Sequence, residues 1–219
     1  MLPLALPAAE VEIGTVEEID YLLVKRYDRR LISSSAEPLC LERLHQEDFC
    51  QALGIVSETK YENEGGPSLK KCFALLREVS EAPVIDLQRL LDAAIFNFFI
   101  GNHDAHGKNF SFLYAAGPPV GRLAPFYDVL STSFYPELSP KMAMKIGGEY
   151  VADKVRPRHF EHLAEEAGLA QPMVRRRVPE LAETILSKIQ EASAIHPEKS
   201  GPVAVFIRER CQNLMRNFI

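Results

Sequence analysis

Cysteine is scarce in this chain and carries no pattern. Cys40, Cys50, Cys72 and Cys211 show no Cys-x-x-Cys spacing. Several lie in apolar helical patterns, where a free thiol packs as a small hydrophobe, so disulfides are not required and a reducing compartment is expected. Long apolar runs are also missing: none approaches the ~18 residues of a spanning helix. The start, residues 1–7, is apolar but short, holds two prolines and lacks a basic residue, so no membrane segment is expected and a cytoplasmic location is the default. Positive charge is not in excess. Lys and Arg number 25 against 30 Asp and Glu, a net charge of −5 that gives no global attraction to nucleic acid. Arg175, Arg176 and Arg177 form a local basic cluster, expected as a solvated helix face. The first twenty residues contain no Lys or Arg and a single glycine, Gly14, so no Gly-rich phosphate loop is found there. No internal repeat or low-complexity tract interrupts the chain.

At 219 residues and 47% hydrophobic, the sequence has enough apolar material to bury a sizeable core as one unit with a small appendage. Its densest chemistry lies at Asn102-His-Asp-Ala-His-Gly-Lys-Asn109. Asp104 and Asn109 are spaced as Asp-x-x-x-x-Asn, and a second acidic residue follows at Asp128 in Ala-Pro-Phe-Tyr-Asp. A protein-kinase catalytic loop has this spacing, with a later Asp as metal ligand. Asp104 can accept or orient the proton of an attacking hydroxyl. An amide oxygen from Asn109 and a carboxylate oxygen from Asp128 suit Mg²⁺, which keeps several waters and few protein ligands. Lys108 and His106 stand where positive charge or a donor would serve the transferring phosphoryl group. Taken alone, an Asp and an Asn at this spacing more often make a cap or a turn.

The flanking pattern decides for the site. Leu87, Leu90, Leu91, Ala94, Ile95 and Phe98 form the stripe of an amphipathic helix, with Asp86 as its expected N-cap and Gly101 as its stop. Phe110 to Tyr114 alternates as a short strand, residues 117–121 supply turn chemistry, and Arg122 to Asp128 returns to the loop. Elsewhere helices are expected over Glu42 to Leu53, Lys70 to Glu78, Pro157 to Gly168, Met173 to Ala194, and at the C-terminus along Val203, Phe206, Ile207, Leu214, Met215 and Phe218. The turn-rich Glu62 to Pro67 loop is placed at a substrate edge. The fold class expected is α+β and mainly helical.

Five segments in order then carry a resemblance: Leu22 to Arg29, His45 to Gln51, Tyr61 to Pro67, Gly101 to Ser111 and Pro125 to Asp128. The series resembles HipA-type toxin kinases. The resemblance implies a kinase-like C-terminal lobe with a small catalytic β-hairpin and a short β remnant of an N-terminal lobe, divided as residues 1–30 (remnant and hinge) and 31–219 (helical lobe). It implies a Ser/Thr protein kinase of a toxin–antitoxin system using ATP and Mg²⁺. In that reading Asp104 is the catalytic base, Asn109 and Asp128 bind metal, and Lys25 and Tyr27 lie at the hinge beside adenine. Gln46 and Tyr127 join them at the nucleotide. Lys25 departs from the acidic residue often found at that position. Implied partners are a protein substrate such as an aminoacyl-tRNA synthetase and a HipB-like DNA-binding antitoxin, with no direct nucleic-acid contact. The family's phosphate-covering loop, its regulatory Ser and the strand Lys are not identifiable, so a split, truncated or degenerate kinase is expected, completed by a separately encoded lobe in the split case. Two other readings stand beside the active kinase: a noncatalytic pseudokinase or binding partner, and a metal-dependent phosphohydrolase using His103, Asp104, His45, His106 and Asp128.

Overall fold

The computed structural model describes residues 6–34, 37–115, 120–195 and 197–218. Two antiparallel hairpins come first: β1 (Val11–Val16) with β2 (Ile19–Val24), and β3 (Arg29–Ser34) with β4 (Glu37–Arg43). A three-stranded sheet follows, β5 (His45–Asp48), β6 (Ser111–Tyr114) and β7 (Arg122–Leu123), in the order β5-β6-β7. Between its first two strands run the single turn α1 (Phe49–Ala52), α2 (Leu69–Val79) and α3 (Pro83–Ile100). A last hairpin, β8 (Lys141–Ile146) and β9 (Glu149–Val151), precedes α4 (Pro157–Glu166), α5 (Gln171–Ser193) and α6 (Pro197–Met215). The fold is mixed α and β and mainly helical, with small antiparallel sheets.

Helix α3 forms the axis of the core. Leu90, Leu91, Ile95, Phe98 and Phe99 are buried, and α2, α5 and α6 pack around it. Phe98 meets Phe99, Phe160 and Phe218 at centroid distances of 5.0, 5.4 and 6.3 Å, the edge-to-face contacts that aromatic quadrupoles favour. The helix begins earlier than its apolar stripe, with Pro83 in its first turn. Asp86 is therefore not the N-cap. It lies inside the helix, fully buried, where its carboxylate takes two bonds from Arg122 at 3.0 Å, one from Leu123 N at 3.0 Å and one from Ser80 Oγ at 2.7 Å. Gly101 does end the helix, in the left-handed region at φ 77°, and a Cβ there would lie 1.7 Å from Ser133 Oγ.

The expected helix over Glu42 to Leu53 is a correction. Residues 45–48 pair with β6, His45 opposite Tyr114 and Asp48 opposite Ser111, and helix begins only at Phe49. Asp48 takes the Gln51 N–H at 2.8 Å while its own N–H gives to Gln51 Oε1 at 2.9 Å, a capping box that fixes the start. Strand pairing between residues 45–48 and 111–114 overrode a locally helical pattern. The other helices fall close to their expected bounds. The turn expected at residues 117–121 lies mostly outside the described residues, as do residues 1–5 of the apolar start. Beyond them, Ala9 N–H gives to Phe126 O and Phe126 N–H to Pro7 O, both at 2.8 Å, tying the start of the chain to the return segment.

The basic cluster is not a uniform solvated face. Arg177 is held by both oxygens of buried Asp92 at 2.7 and 2.8 Å, Arg175 pairs with Glu161 and Arg176 with Glu180. Cys50, Cys72 and Cys211 are buried thiols and Cys40 is exposed; all four are free. The first two hairpins are the outliers in burial. Val11, Ile19, Leu22, Leu23, Leu31 and Leu41 are all more than half exposed, and the consecutive Leu22 and Leu23 put apolar side chains on both faces of β2. No helix among the described residues is long and apolar enough to cross a membrane.

Candidate active site

The Asn102–Asn109 loop is built from the end of α3. After Gly101 reverses the chain, Asn102 N–H gives to Asn97 O at 2.9 Å, and His103 N–H finds Thr132 Oγ1 at 2.8 Å. A Cβ on Gly107 would meet Pro67 at 2.5 Å, so the loop passes close under the Glu62 to Pro67 turn. Asn109 closes it: its Oδ1 accepts from His106 N at 2.9 Å, and its Nδ2 donates to Asp128 Oδ2 at 2.6 Å. Asp128 reaches this point with φ 55°, a left-handed backbone that is costly for a non-glycine residue. Asn102 Nδ2 holds its carbonyl at 3.3 Å. Loop and return strand thus bring Asn109 and Asp128 into contact, with Asp104 on the same loop.

Asp104 lines a different cavity from Asn109 and Asp128. Its side chain is 44% exposed and lines a cleft of about 530 Å³ shared with Tyr61, Glu64, Ser139, Lys141 and Tyr150. Tyr61 Oη donates to its Oδ1 at 2.9 Å, and His106 Nε2 lies 3.9 Å from its Oδ2. His106 is buried, and that burial, reinforced by Lys60, holds its pKa below the ordinary value. It is a neutral imidazole near pH 7, a polar neighbour of Asp104 and not a fixed positive charge. The Lys108 carbonyl accepts from the Tyr127 hydroxyl, and its ammonium lies near enough to Cys50 and Glu58 to act on their charge.

A second cluster assembles from residues far apart in sequence. Gln46 Nε2 donates to Ser111 Oγ at 3.2 Å, Ser111 Oγ meets Tyr127 Oη at 2.7 Å, and the Tyr27 ring lies 6.1 Å from that of Tyr127. Burial raises the pKa of both tyrosines, so both are neutral donors. Tyr27, Gln46 and Tyr127 are therefore brought together beside the loop. Lys25 is not among them: it is exposed and pairs with Glu10 at 2.8 Å. Ser111 and Tyr61 escaped the sequence reading as functional residues, although both lie within the quoted segments. Behind Asp128, Phe96, Asn97, Phe110, Phe126 and Tyr127 enclose a smaller cavity of about 150 Å³.

The histidines do not converge. His103 Nδ1 lies 3.4 Å from Ser139 O and its Nε2 3.4 Å from Arg210, while His45 packs on Tyr114 at 5.2 Å. Among the described residues no three His, Cys, Asp or Glu side chains are placed to share a metal. A His-rich hydrolase centre has no support in this geometry.

Comparison with known proteins identifies the family. A family model described as the HipA-like C-terminal domain matches residues 3–191. A protein assigned by name to the kinases, Y4mE of Sinorhizobium fredii, is 46% identical over 197 residues, 88% of this chain and 46% of its own length. The serine/threonine-protein kinase toxin HipA of Shewanella oneidensis is 29% identical over 215 residues, 93% of this chain and 48% of its own. The chain thus spans about half the length of these curated relatives. Among solved structures, the complex of Shewanella oneidensis HipA, HipB and operator DNA matches with a TM-score of 0.86 at 27% identity, covering 97% of this chain and 52% of that one. The Helicobacter pylori proinflammatory kinase CtkA shares the fold, with a TM-score of 0.58 at 15% identity over 98% of this chain and 78% of its own. With most of its length matched by the family model and its fold shared with HipA, the chain belongs to the family of HipA-like C-terminal domains.

Proposed function

We propose that this chain is the catalytic lobe of a HipA-like serine/threonine protein kinase, with Asp104 as base and Asn109 and Asp128 as metal ligands. The observation that carries the reading is the 2.6 Å contact between Asn109 and Asp128, made across nineteen residues by a strained backbone, on the loop that also holds Asp104. The donor set fits Mg²⁺. Asp128 is exposed, Asn109 Oδ1 keeps a second lone pair beyond its bond to His106 N, and a hard cation of this size takes few protein oxygens and several waters. Mg²⁺ bound with ATP would neutralise charge on the phosphates. Tyr27, Gln46 and Tyr127 line the nucleotide side, with Lys25 contributing backbone at the hinge. Asp104 orients the acceptor hydroxyl and takes its proton, while His106 serves as a neutral neighbour and Lys108 as a nearby cation.

In this reading residues 1–30 hold the hinge and a small-lobe remnant and residues 31–219 the catalytic lobe, although β3 crosses that division. The exposed apolar hairpins supply the surface on which further small-lobe structure packs, within one polypeptide or from a second chain. The partners proposed are a protein substrate, of which an aminoacyl-tRNA synthetase is the family's precedent, and a HipB-like antitoxin. The latter draws support from the solved complex of the Shewanella oneidensis relative. A cytoplasmic site of action accompanies them. A noncatalytic binding role is the second reading, favoured by those same exposed apolar hairpins.

Titration calorimetry tests the metal assignment. Asp128→Asn is expected to weaken Mg²⁺-ATP binding about tenfold or more while leaving thermal unfolding nearly unchanged, because the side chain is exposed and the new amide keeps an oxygen that can accept from Asn109 Nδ2, so the main loss is the charge offered to the ligand. Equal Mg²⁺-ATP affinity in the two folded proteins removes Asp128 from the metal site.

A further inference from the structure

Tyr61 is a second group on the reacting carboxylate, and the reading above gives it no role. Its hydroxyl donates to Asp104 Oδ1 at 2.9 Å from a turn 43 residues earlier in sequence. Its ring lies edge-on to His106 at 5.5 Å, and the Lys60 ammonium stands 4.9 Å from the ring centroid. Burial, and then the bond to Asp104, raises the phenol pKa, so Tyr61 is a donor throughout the neutral range. The carboxylate's second oxygen is differently placed. The 3.9 Å separation from His106 Nε2 is too long for a hydrogen bond, and the side chain opens on the cleft.

The backbone around Tyr61 is pinned on both sides. Its carbonyl accepts from Glu64 N at 3.0 Å and from Gly66 N at 2.8 Å. Gly65 adopts φ 105°, and a Cβ on Gly66 would lie 2.6 Å from Lys60 O and 2.7 Å from Thr59 O, so the turn closes only around glycine. Beyond it, Glu62 is anchored to Lys145 through the backbone N–H at 2.8 Å and the ammonium at 3.1 Å. The phenol is delivered to Asp104 by a turn with little freedom to move.

We propose that Tyr61 is a positioning residue for phosphoryl transfer: its hydroxyl fixes Asp104 Oδ1 so that Oδ2 faces the cleft and receives the proton of the acceptor hydroxyl. Tyr61 keeps its own proton and forms no bond to the transferred group. The proposal rests on the reading of Asp104 as base. It also makes the cleft bounded by Tyr61, Lys141 and Tyr150 the entry for the hydroxyl-bearing segment of a polypeptide acceptor. Phosphoryl transfer depends on positioning together with electrostatic stabilisation, and a base held in a productive geometry serves the first.

Two measurements test it. In the isolated chain labelled with ¹³Cζ-tyrosine, the resonance assigned by its loss in Tyr61→Phe is expected to titrate at lower pH in Asp104→Asn, since the carboxylate that opposes phenol ionisation is gone; an unchanged titration overturns the proposal. In a transfer-competent assembly in which Asp104→Asn lowers the rate at least ~100-fold, Tyr61→Phe is expected to lower kcat about tenfold, as for loss of one bond to a charged group. KM for Mg²⁺-ATP should stay within about twofold, and in the Asp104→Asn background Tyr61→Phe should add nothing, because both act through one carboxylate. A wild-type kcat in Tyr61→Phe, or an additive loss in the double variant, overturns the positioning role and leaves Asp104 as base. An Asp104→Asn protein that transfers phosphate normally removes the base and with it the proposal.

Discussion

Asp104→Asn is expected to lower phosphoryl transfer by ~10²–10⁴-fold while leaving Mg²⁺-ATP affinity unchanged. The substitution is nearly isosteric, and the amide oxygen can still accept the Tyr61 hydroxyl, so the turn over the loop stays in place. What disappears is the capacity to take the acceptor's proton. Asn109 and Asp128 pair with each other and line a different cavity from the cleft that Asp104 lines, so the proposed metal ligands keep their contact. Single-turnover transfer of labelled phosphate, set beside calorimetric Mg²⁺-ATP binding, separates the two effects. A variant that binds and transfers as wild type does would leave the Asp-x-x-x-x-Asn spacing as a structural turn, and a variant that loses binding would place Asp104 among the nucleotide ligands.

The legible part of this molecule was its local chemistry. The apolar stripe from Leu87 to Phe98 and the stop at Gly101 identified α3, because a 3.6-residue period and a left-handed terminator are properties of the segment itself. The meeting of Asn109 with Asp128 was readable for a similar reason: a short loop and a returning strand keep the two close in sequence. The role of Asp86 was not readable. An Asp just before an apolar stripe looks like an N-cap, and only the fold reveals that Pro83 starts the helix and that Arg122 arrives to neutralise the carboxylate. Residues 42–53 misled for the complementary reason, since the partner that makes 45–48 a strand lies at 111–114.

Tyr61 shows where the limit lies within the site. Its segment was recognised, yet the turn was assigned to a substrate edge and the phenol given no task. Nothing in Lys-Tyr-Glu-Asn-Glu-Gly-Gly-Pro specifies a contact 43 residues away, whereas the paired glycines do specify a tight turn. Sequence therefore located the turn, and the three-dimensional packing assigned its side chain. Ser111 is the same case: one hydroxyl joins Gln46 to Tyr127 through contacts that no spacing rule supplies.

Arg122→Met is expected to destabilise the chain by about 3–5 kcal/mol, the cost of leaving a buried carboxylate without its cation. Asp86 has no exposed surface, and with Arg122 gone it keeps only Ser80 Oγ, Leu123 N and a long 3.4 Å approach from Arg89. Burial on its own pushes the Asp86 carboxyl up, but the hydrogen bonds from Arg122, Ser80 and Leu123 outweigh it and hold the folded pKa below the ordinary 3.8. A depressed folded pKa contributes stability that is present above the unfolded value and lost as pH falls through the folded one, so the wild type should lose this contribution in acid below about pH 4. Urea unfolding at pH 7 and at pH 3 measures both: the gap between wild type and Arg122→Met should be smaller at pH 3 than at pH 7. Asp86→Asn combined with Arg122→Met should recover part of the loss at pH 7, since no buried charge then remains. A pH-independent gap would assign the effect to lost packing of the Arg122 stem. The same clamp sets the register of β7 against α3, and the chain leaves β7 directly toward Phe126 and Asp128. Arg122→Met should for that reason also weaken Mg²⁺-ATP binding under conditions where the protein remains folded, linking a buried ion pair to a ligand site it never touches.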